Sequence, residues 1–180
     1  MNKQSQKGLA PLNSAKQTIQ SGFTLIEILV VIGLIAILAA VVLIAINPAR
    51  QFALGRNSQR QSNVNSILNA IGQRMVDNKG IFETGCAAGT IPAVATEMKK
   101  TGGYDARPCI VTLYMSEIPF DPTNGSNTCT TAACGGAGED YNTKYTVMQD
   151  ATTKRITVCA PNAALETAIQ PVPATICVTR

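Results

Sequence analysis

The chain has 180 residues, 46% of them hydrophobic and 14% charged, with a formal net charge of +4. Residues 1–22 hold three of the 15 basic residues and none of the 11 acidic ones, so most of the positive surplus lies at the N-terminus. No basic patch with aromatic residues follows, so the composition gives no direct sign of nucleic-acid binding. The chain also lacks histidine, a serine-nucleophile motif and a carboxylate pair at recognisable spacing, so we predict that it is not an enzyme.

A polar leader and a membrane-length helix come first. Residues 1–22 are polar and basic without an apolar face, which is typical of a cytoplasmic leader. Residues 28–46 contain no charged side chain and no side-chain hydrogen-bond donor. As a helix rising about 1.5 Å per residue, they would span roughly 28 Å, close to the hydrocarbon thickness of a bilayer. We predict a transmembrane helix within residues 23–47, with Glu27 as an acidic residue near its start.

A second, amphipathic helical segment is predicted over residues 48–79. Asn47-Pro48 ends or kinks the first helix, because proline lacks an N–H group and restricts the residue before it. The Asn78-Lys79-Gly80 run predicts the C-terminal end. Polar residues, including Arg60 and Arg74, occupy most of the segment. An apolar stripe is predicted to lie against a folded head and comprises Val64, Ile67, Leu68, Ile71 and Met75.

The head, residues 80–180, is predicted to combine long loops with a small sheet. Loops or turns are expected over residues 80–108, 119–125 and 123–140. Residues 110–118 could form a short helix or a strand, because their periodicity does not distinguish the two. Strands are expected at Tyr141–Gln149, at Arg155–Ala160 and over residues 174–178. The predicted fold class is therefore α+β, a long N-terminal helix packed on a small antiparallel sheet.

All six cysteines lie in the head. An even number of cysteines without histidine predicts a disulfide framework in an oxidising compartment. This places the head outside the cytoplasm and orients the first helix, because the lysines before it and the arginines after it leave the positive-inside count tied. The sequence does not choose among the possible pairings. Our working choice joins neighbours along the chain: Cys86–Cys109, Cys129–Cys134 and Cys159–Cys177.

One short stretch carries a family resemblance. Gly22-Phe23-Thr24-Leu25-Ile26-Glu27, between a basic leader and a long apolar run, resembles the N-terminal signal of type IV pilins and type II secretion pseudopilins. The signal covers about residues 1–50, and the long helix extends the resemblance to about residue 78. It implies cleavage by prepilin peptidase between Gly22 and Phe23, N-methylation of Phe23, and an assembly role for Glu27. It also makes Pro48 the expected site of a helix kink.

The resemblance implies a structural subunit of a type IV pilus-like filament built from identical or related subunits. The subunit would first span the inner membrane once, with its N-terminus in the cytoplasm, and would later join an extracellular or periplasmic filament. Its partners would be the membrane, the prepilin peptidase and methyltransferase, and a pilus or type II secretion assembly platform. A secretion pseudopilin is the alternative, because it shares the same helix. Tyr114–Pro122 resembles the segment that leads into the sheet in major pseudopilins and in many Gram-positive or candidate-phylum pilins, and this resemblance suits the pseudopilin slightly better. A membrane-anchored adhesin or DNA-binding module that never polymerises is the alternative from another class.

The resemblance also makes the head a candidate for calcium binding. Major pseudopilins bind calcium near a comparable loop, which makes Asp121, Glu139 and Asp140 candidate ligands. Their spacing matches no strict motif, so we predict a solvated acidic loop and no cofactor.

Overall fold

The structure is a computed structural model that describes residues 22–180. The predictions for the leader, residues 1–21, lie outside this range. The described residues divide after Ala45 into two units. The first unit is built on one helix, and the second contains a long helix, a sheet and the loops that join them.

Helix α1 runs from Leu25 to Ile46 and consists almost wholly of Leu, Ile, Val and Ala. No residue of α1 is buried. Within residues 22–180, it is the helix whose length and apolar composition suffice to cross a membrane.

Helix α2, Pro48–Asp77, begins and ends at residues suited to those positions. Asn47 has left-handed backbone angles, φ 47° and ψ 82°, and its side-chain Oδ1 accepts a hydrogen bond from the N–H group of Arg50. Pro48 stands in the first helical turn, where its missing N–H group costs nothing. At the other end, Gly80 has φ 88° and its N–H group donates to the carbonyl oxygen of Met75. The predicted C-terminal signal is confirmed.

The buried face of α2 contains the predicted apolar stripe and two arginines. Val64, Ile67, Leu68 and Ile71 are buried, and Met75 is partly buried against them. The expectation that Arg60 and Arg74 belong to the polar remainder is wrong, because their exposed fractions are 1% and 5%. Both arginines fall at helical spacing from the stripe, four residues before Val64 and three after Ile71, so periodicity places them on the same face.

The sheet is antiparallel and packs on this face of α2. Its main order is β1-β3-β4-β5, with β2 paired to the start of β3. One row crosses the sheet from Thr96 through Val147 and Val158 to Val178. Alternate residues of β3 and β4 point into the core, as period-two burial requires. The strands are β1 Thr96–Lys99, β2 Ser126–Asn127, β3 Tyr141–Gln149, β4 Ile156–Ala160 and β5 Ile176–Thr179.

The loop predictions need three corrections. Strand β1 lies inside residues 80–108, and the short strand β2 lies inside residues 123–140. For residues 110–118 the sequence did not distinguish a helix from a strand. The structure ends the short helix α3, Arg107–Ile110, at the start of this range, and turns and bends occupy most of residues 111–117. The short sequence of β1, TEMK, has no strong apolar alternation, and the strand is held by pairing with β3 and not by its own pattern.

Arg60 is a buried cation with a full set of acceptors. Its Nε donates to Asp121 Oδ2 at 2.6 Å, and its Nη1 donates to Glu166 Oε1 at 2.5 Å. The remaining guanidinium hydrogens reach Asn57, Thr123 and the second oxygen of Asp121. All five donors of the group are therefore used, as a buried charge requires. This network joins α2 to the 119–125 turn and to the 3₁₀ helix Pro161–Leu165.

The carboxylates of this network are ionised groups in a protein interior. Burial alone would raise the pKa of Asp121, but hydrogen bonds from Arg60 and from the N–H groups of Thr123 and Asn124 bring that pKa below its usual value. Arg56 donates two hydrogen bonds to Glu166, at 2.8 and 2.5 Å, and this pairing lowers the pKa of Glu166 to about 2.

Arg74 and one disulfide fasten the loop that follows α2. The guanidinium donates to the carbonyl oxygens of Phe82, Thr84 and Cys109 at 2.6, 2.5 and 2.9 Å. The Cys86–Cys109 disulfide joins the same two chain segments. The other bonds are Cys129–Cys134 and Cys159–Cys177, so the structure contains the three pairs chosen from the sequence.

We expect Arg60→Met to destabilise the head by about 3–5 kcal/mol, because it leaves Asp121 buried without its cation. The measurement is chemical denaturation of the full chain in detergent, followed by near-ultraviolet circular dichroism. Arg50→Met is the matched control, since Arg50 is exposed and forms no ion pair with the residues described. Equal midpoints for the two variants would contradict the structural role given to Arg60.

Candidate functional site

The segment before α1 forms a reciprocal helix cap. The N–H group and hydroxyl of Thr24 both donate to Glu27 Oε2, at 2.8 and 2.7 Å. The N–H group of Glu27 donates back to the hydroxyl of Thr24 at 3.2 Å. This is a capping box, in which the first residue before the helix and the third residue within it satisfy each other's N–H groups. Glu27 therefore has a local role at the start of α1.

The two residues at the expected cleavage point, Gly22 and Phe23, are exposed to solvent. Phe23 is 85% exposed, and a Cβ atom added to Gly22 would meet nothing within 4 Å. Neither residue is in the helix, which begins at Leu25. An exposed dipeptide outside the helix and with a glycine is suited to enter a peptidase site, and the fold of the described residues does not itself require that glycine.

Glu27 has bonding capacity left after the cap is made. Both hydrogen bonds from Thr24 go to Oε2, and no donor among residues 22–180 reaches Oε1. The side chain stands beside Phe23, Ile26 and Val30, which are apolar. If this surface leaves water, the free oxygen needs a donor or cation from another molecule.

The outer face of α2 is unusual for an exposed helix because it carries no charge over residues 57–76. The only charged residues of that stretch are Arg60 and Arg74, and both are buried. The exposed positions are mainly Asn, Ser, Gln and Gly. Such a face can be covered by another apolar or weakly polar helix without burying an ion.

The other predicted site residues lie in separate places. Pro48 follows the single residue, Asn47, that separates the two helices. The carboxylate of Asp121 binds Arg60 and two backbone N–H groups. Within the described range no three acidic or cysteine side chains gather as a metal site. The calcium candidates are thus not brought together.

Glu139 closes the loop around the Cys129–Cys134 disulfide. Its carboxylate accepts from the hydroxyl and N–H group of Thr130 and from the N–H group of Gly136, and these bonds lower its pKa to about 2. The carbonyl oxygen of Asp140 accepts from the N–H group and the hydroxyl of Thr128, and the N–H group of Asp140 donates back to that hydroxyl. Both acids therefore organise the loop locally.

Sequence reasoning missed Thr24 as a partner of Glu27, and Arg56 and Glu166 as an ion pair. The Thr-x-x-Glu spacing just before an apolar run is a helix-start signature and could have revealed the first. No local pattern could reveal the second, because its members are 110 residues apart.

Comparison with known families agrees with the N-terminal segment. Residues 18–43 match the prokaryotic N-terminal methylation motif. Comparison with curated proteins gives no match, and neither does comparison with solved structures. The chain therefore carries the prepilin-type signal of type IV pilins and pseudopilins, followed by a pilin-like arrangement of a long apolar helix, a second helix and a small antiparallel sheet.

Loss of the capping box should loosen the start of α1. We expect Thr24→Ala to speed amide hydrogen exchange at residues 24–28 by about fivefold, as for loss of a typical cap. Thr24→Ser keeps the hydroxyl and is the matched control. The measurement is hydrogen exchange of the full chain in micelles. Unchanged exchange in Thr24→Ala would mean that Thr24 does not hold this helix end.

Proposed function

We propose that the chain is the structural subunit of a type IV pilus-like filament. The observation that carries this proposal is the methylation motif over residues 18–43, a range that includes Gly22, Phe23 and Glu27. The subunit is first stored in the inner membrane by α1. Prepilin peptidase then cuts after Gly22, Phe23 becomes the methylated N-terminus, and copies polymerise through their N-terminal helices.

The disulfides of the head support a cytoplasmic N-terminus for the stored form. The charges alone do not decide, because three lysines precede the apolar run and three arginines follow it on the side of the head. Three disulfides in the head are consistent with an oxidising compartment on that side.

Assembly follows from the surface of α1 and the chemistry of Glu27. No residue of α1 is buried, so its apolar side chains need cover from lipid or from other copies. A carboxylate moved into a dry helix bundle needs a partner, and the cationic N-terminus at Phe23 of a neighbouring copy supplies one. Because this pairing works at one axial offset only, it sets the register between copies, as single polar groups do in coiled coils.

Two other functions share the same N-terminal signal. A type II secretion pseudopilin uses the same helix in a short filament, and the resemblance of Tyr114–Pro122 to major pseudopilins favours it. A membrane-anchored adhesin or DNA-binding module would keep α1 in the lipid and would have no use for Glu27. The charge-free outer face of α2 favours a helix-packed polymer over this last function.

Processing is tested first by intact mass and N-terminal sequencing of the native protein under non-reducing conditions. We expect a chain that begins at Phe23, one methyl group heavier than calculated and six hydrogens lighter for three disulfides. Gly22→Val should retain the leader, although a Cβ atom at that position contacts nothing in the described chain. A native chain that still begins at Met1 would overturn the prepilin pathway.

The role of Glu27 is tested by separating its charge from its cap. Glu27→Gln removes the charge but keeps an oxygen that Thr24 can bind, whereas Thr24→Ala removes the cap but keeps the charge. We expect Glu27→Gln to abolish filaments while processed subunit accumulates in the membrane, and Thr24→Ala to retain filaments. Electron microscopy and membrane fractionation are the measurements. Normal filaments and function in Glu27→Gln would refute the register model and favour a non-polymerising module.

A further inference from the structure

The first turns of α2 carry a small exposed apolar and basic patch. Phe52 is 69% exposed and Leu54 is 36% exposed. Leu165, at the end of the 3₁₀ helix, is 67% exposed. Arg50 is exposed as well and lies one turn before Leu54, whereas Phe52 lies on the other side of the helix at the same level along its axis. We call Arg50, Phe52, Leu54 and Leu165 the basal patch.

An ion pair holds Leu165 beside α2. Phe52 and Arg56 are four residues apart and so lie on the same side of the helix. Arg56 donates two hydrogen bonds to the carboxylate of Glu166, and Arg60, one helical turn further along, donates another to the same carboxylate. Leu165 is the immediate neighbour of Glu166. The 3₁₀ helix is thus fixed against the start of α2, with a leucine on its exposed side.

The patch is basic as well as apolar. Residues 28–76 contain no Asp or Glu. The charge of Glu166 is balanced by two arginines, and Arg50 has no acidic partner in the described part of the chain. The surface therefore offers exposed hydrocarbon and an uncompensated cation to whatever lies beside it.

Position along the chain selects a lipid surface as the occupant. One residue, Asn47, separates α1 from Pro48, and Phe52 lies about 6 Å of helix rise beyond Pro48. Apolar side chains such as Phe and Leu beside cations are typical of segments that lie in the membrane interface, an arginine near the end of a membrane helix can place its charge at the headgroups, and anionic lipids attract nearby cations. The patch thus continues the candidate membrane span in sequence and complements an anionic bilayer in charge.

We propose that the basal patch rests on the anionic surface of the membrane in which α1 is inserted, and so docks the head of the stored subunit onto the bilayer. The inference rests on the proposed storage of the chain in the membrane. The Arg56–Glu166 pair acts here as a positioning contact, because it holds Leu165, the neighbour of Glu166, close to Arg56, which lies one helical turn after Phe52. Extraction into a filament would then have to release this contact as well as α1.

The absence of tryptophan from the chain permits a direct test. Single tryptophans are introduced as Phe52→Trp and Leu165→Trp in the full chain, which is reconstituted into vesicles of phosphatidylglycerol and phosphatidylcholine with brominated acyl chains. Leu38→Trp, in α1, reports insertion of the span. Val76→Trp is the matched control, since Val76 is 81% exposed on the same helix but about 36 Å of rise beyond Phe52.

We expect Phe52→Trp and Leu165→Trp to be quenched at least about twofold more than Val76→Trp, and less so when phosphatidylglycerol is omitted. Quenching equal to that of Val76→Trp, with Leu38→Trp strongly quenched, would overturn the docking while leaving membrane storage intact. An unquenched Leu38→Trp would overturn both. A concentration-dependent blue shift at position 52 without bromine quenching would assign the patch to a second copy and overturn the lipid contact.

Discussion

The head is organised around the buried guanidinium of Arg60, because a cation that has left water must find every partner within the protein. Its five donors reach α2 itself, the 119–125 turn and Glu166. These acceptors come from chain segments up to 106 residues away. The cost of an unpaired charge therefore holds the 119–125 turn and the segment around Glu166 against the first half of α2. Arg74, near the C-terminal end of α2, holds the loop that follows the helix in the same way, with carbonyl oxygens in place of carboxylates.

Helix α1 is under the opposite constraint. Its 22 residues have no buried side chain and no charge after Glu27. A helix that is apolar on every side is stable only where its whole circumference is covered. Lipid provides such a cover for one subunit, and neighbouring helices provide it in a polymer. In the function we propose, storage in the membrane and assembly into a filament both meet this requirement.

Regular patterns made part of this fold predictable. The apolar stripe of α2 and the strands β3 and β4 repeat at periods of about 3.6 and two residues, and the structure confirms them. The burial of Arg60 and Arg74 was missed because polar residues were assigned to the surface, although their spacing puts them on the apolar face. β1 was missed because its position depends on pairing with β3, a strand that follows it far along the chain and that pairs Thr96 with Val147 and Lys99 with Asn142. Within the N-terminal segment, the family resemblance predicted roles for Gly22, Phe23 and Glu27, whereas the Thr24–Glu27 cap was missed although its Thr-x-x-Glu spacing is a helix-start signature.

Arg60 and Glu27 show how the same electrostatic requirement is met in two ways. Arg60 is fully satisfied inside one chain, so its network stabilises the subunit and gives it nothing to offer a partner. Glu27 is satisfied at one oxygen only among the described residues, and its neighbours at the helix surface include the apolar Phe23, Ile26 and Val30. In contact with water this costs little, but in a dry environment it demands a cation from outside the chain. We infer that this incomplete satisfaction lets the carboxylate select its neighbour, because a cap that used both oxygens would leave α1 with no preferred axial position.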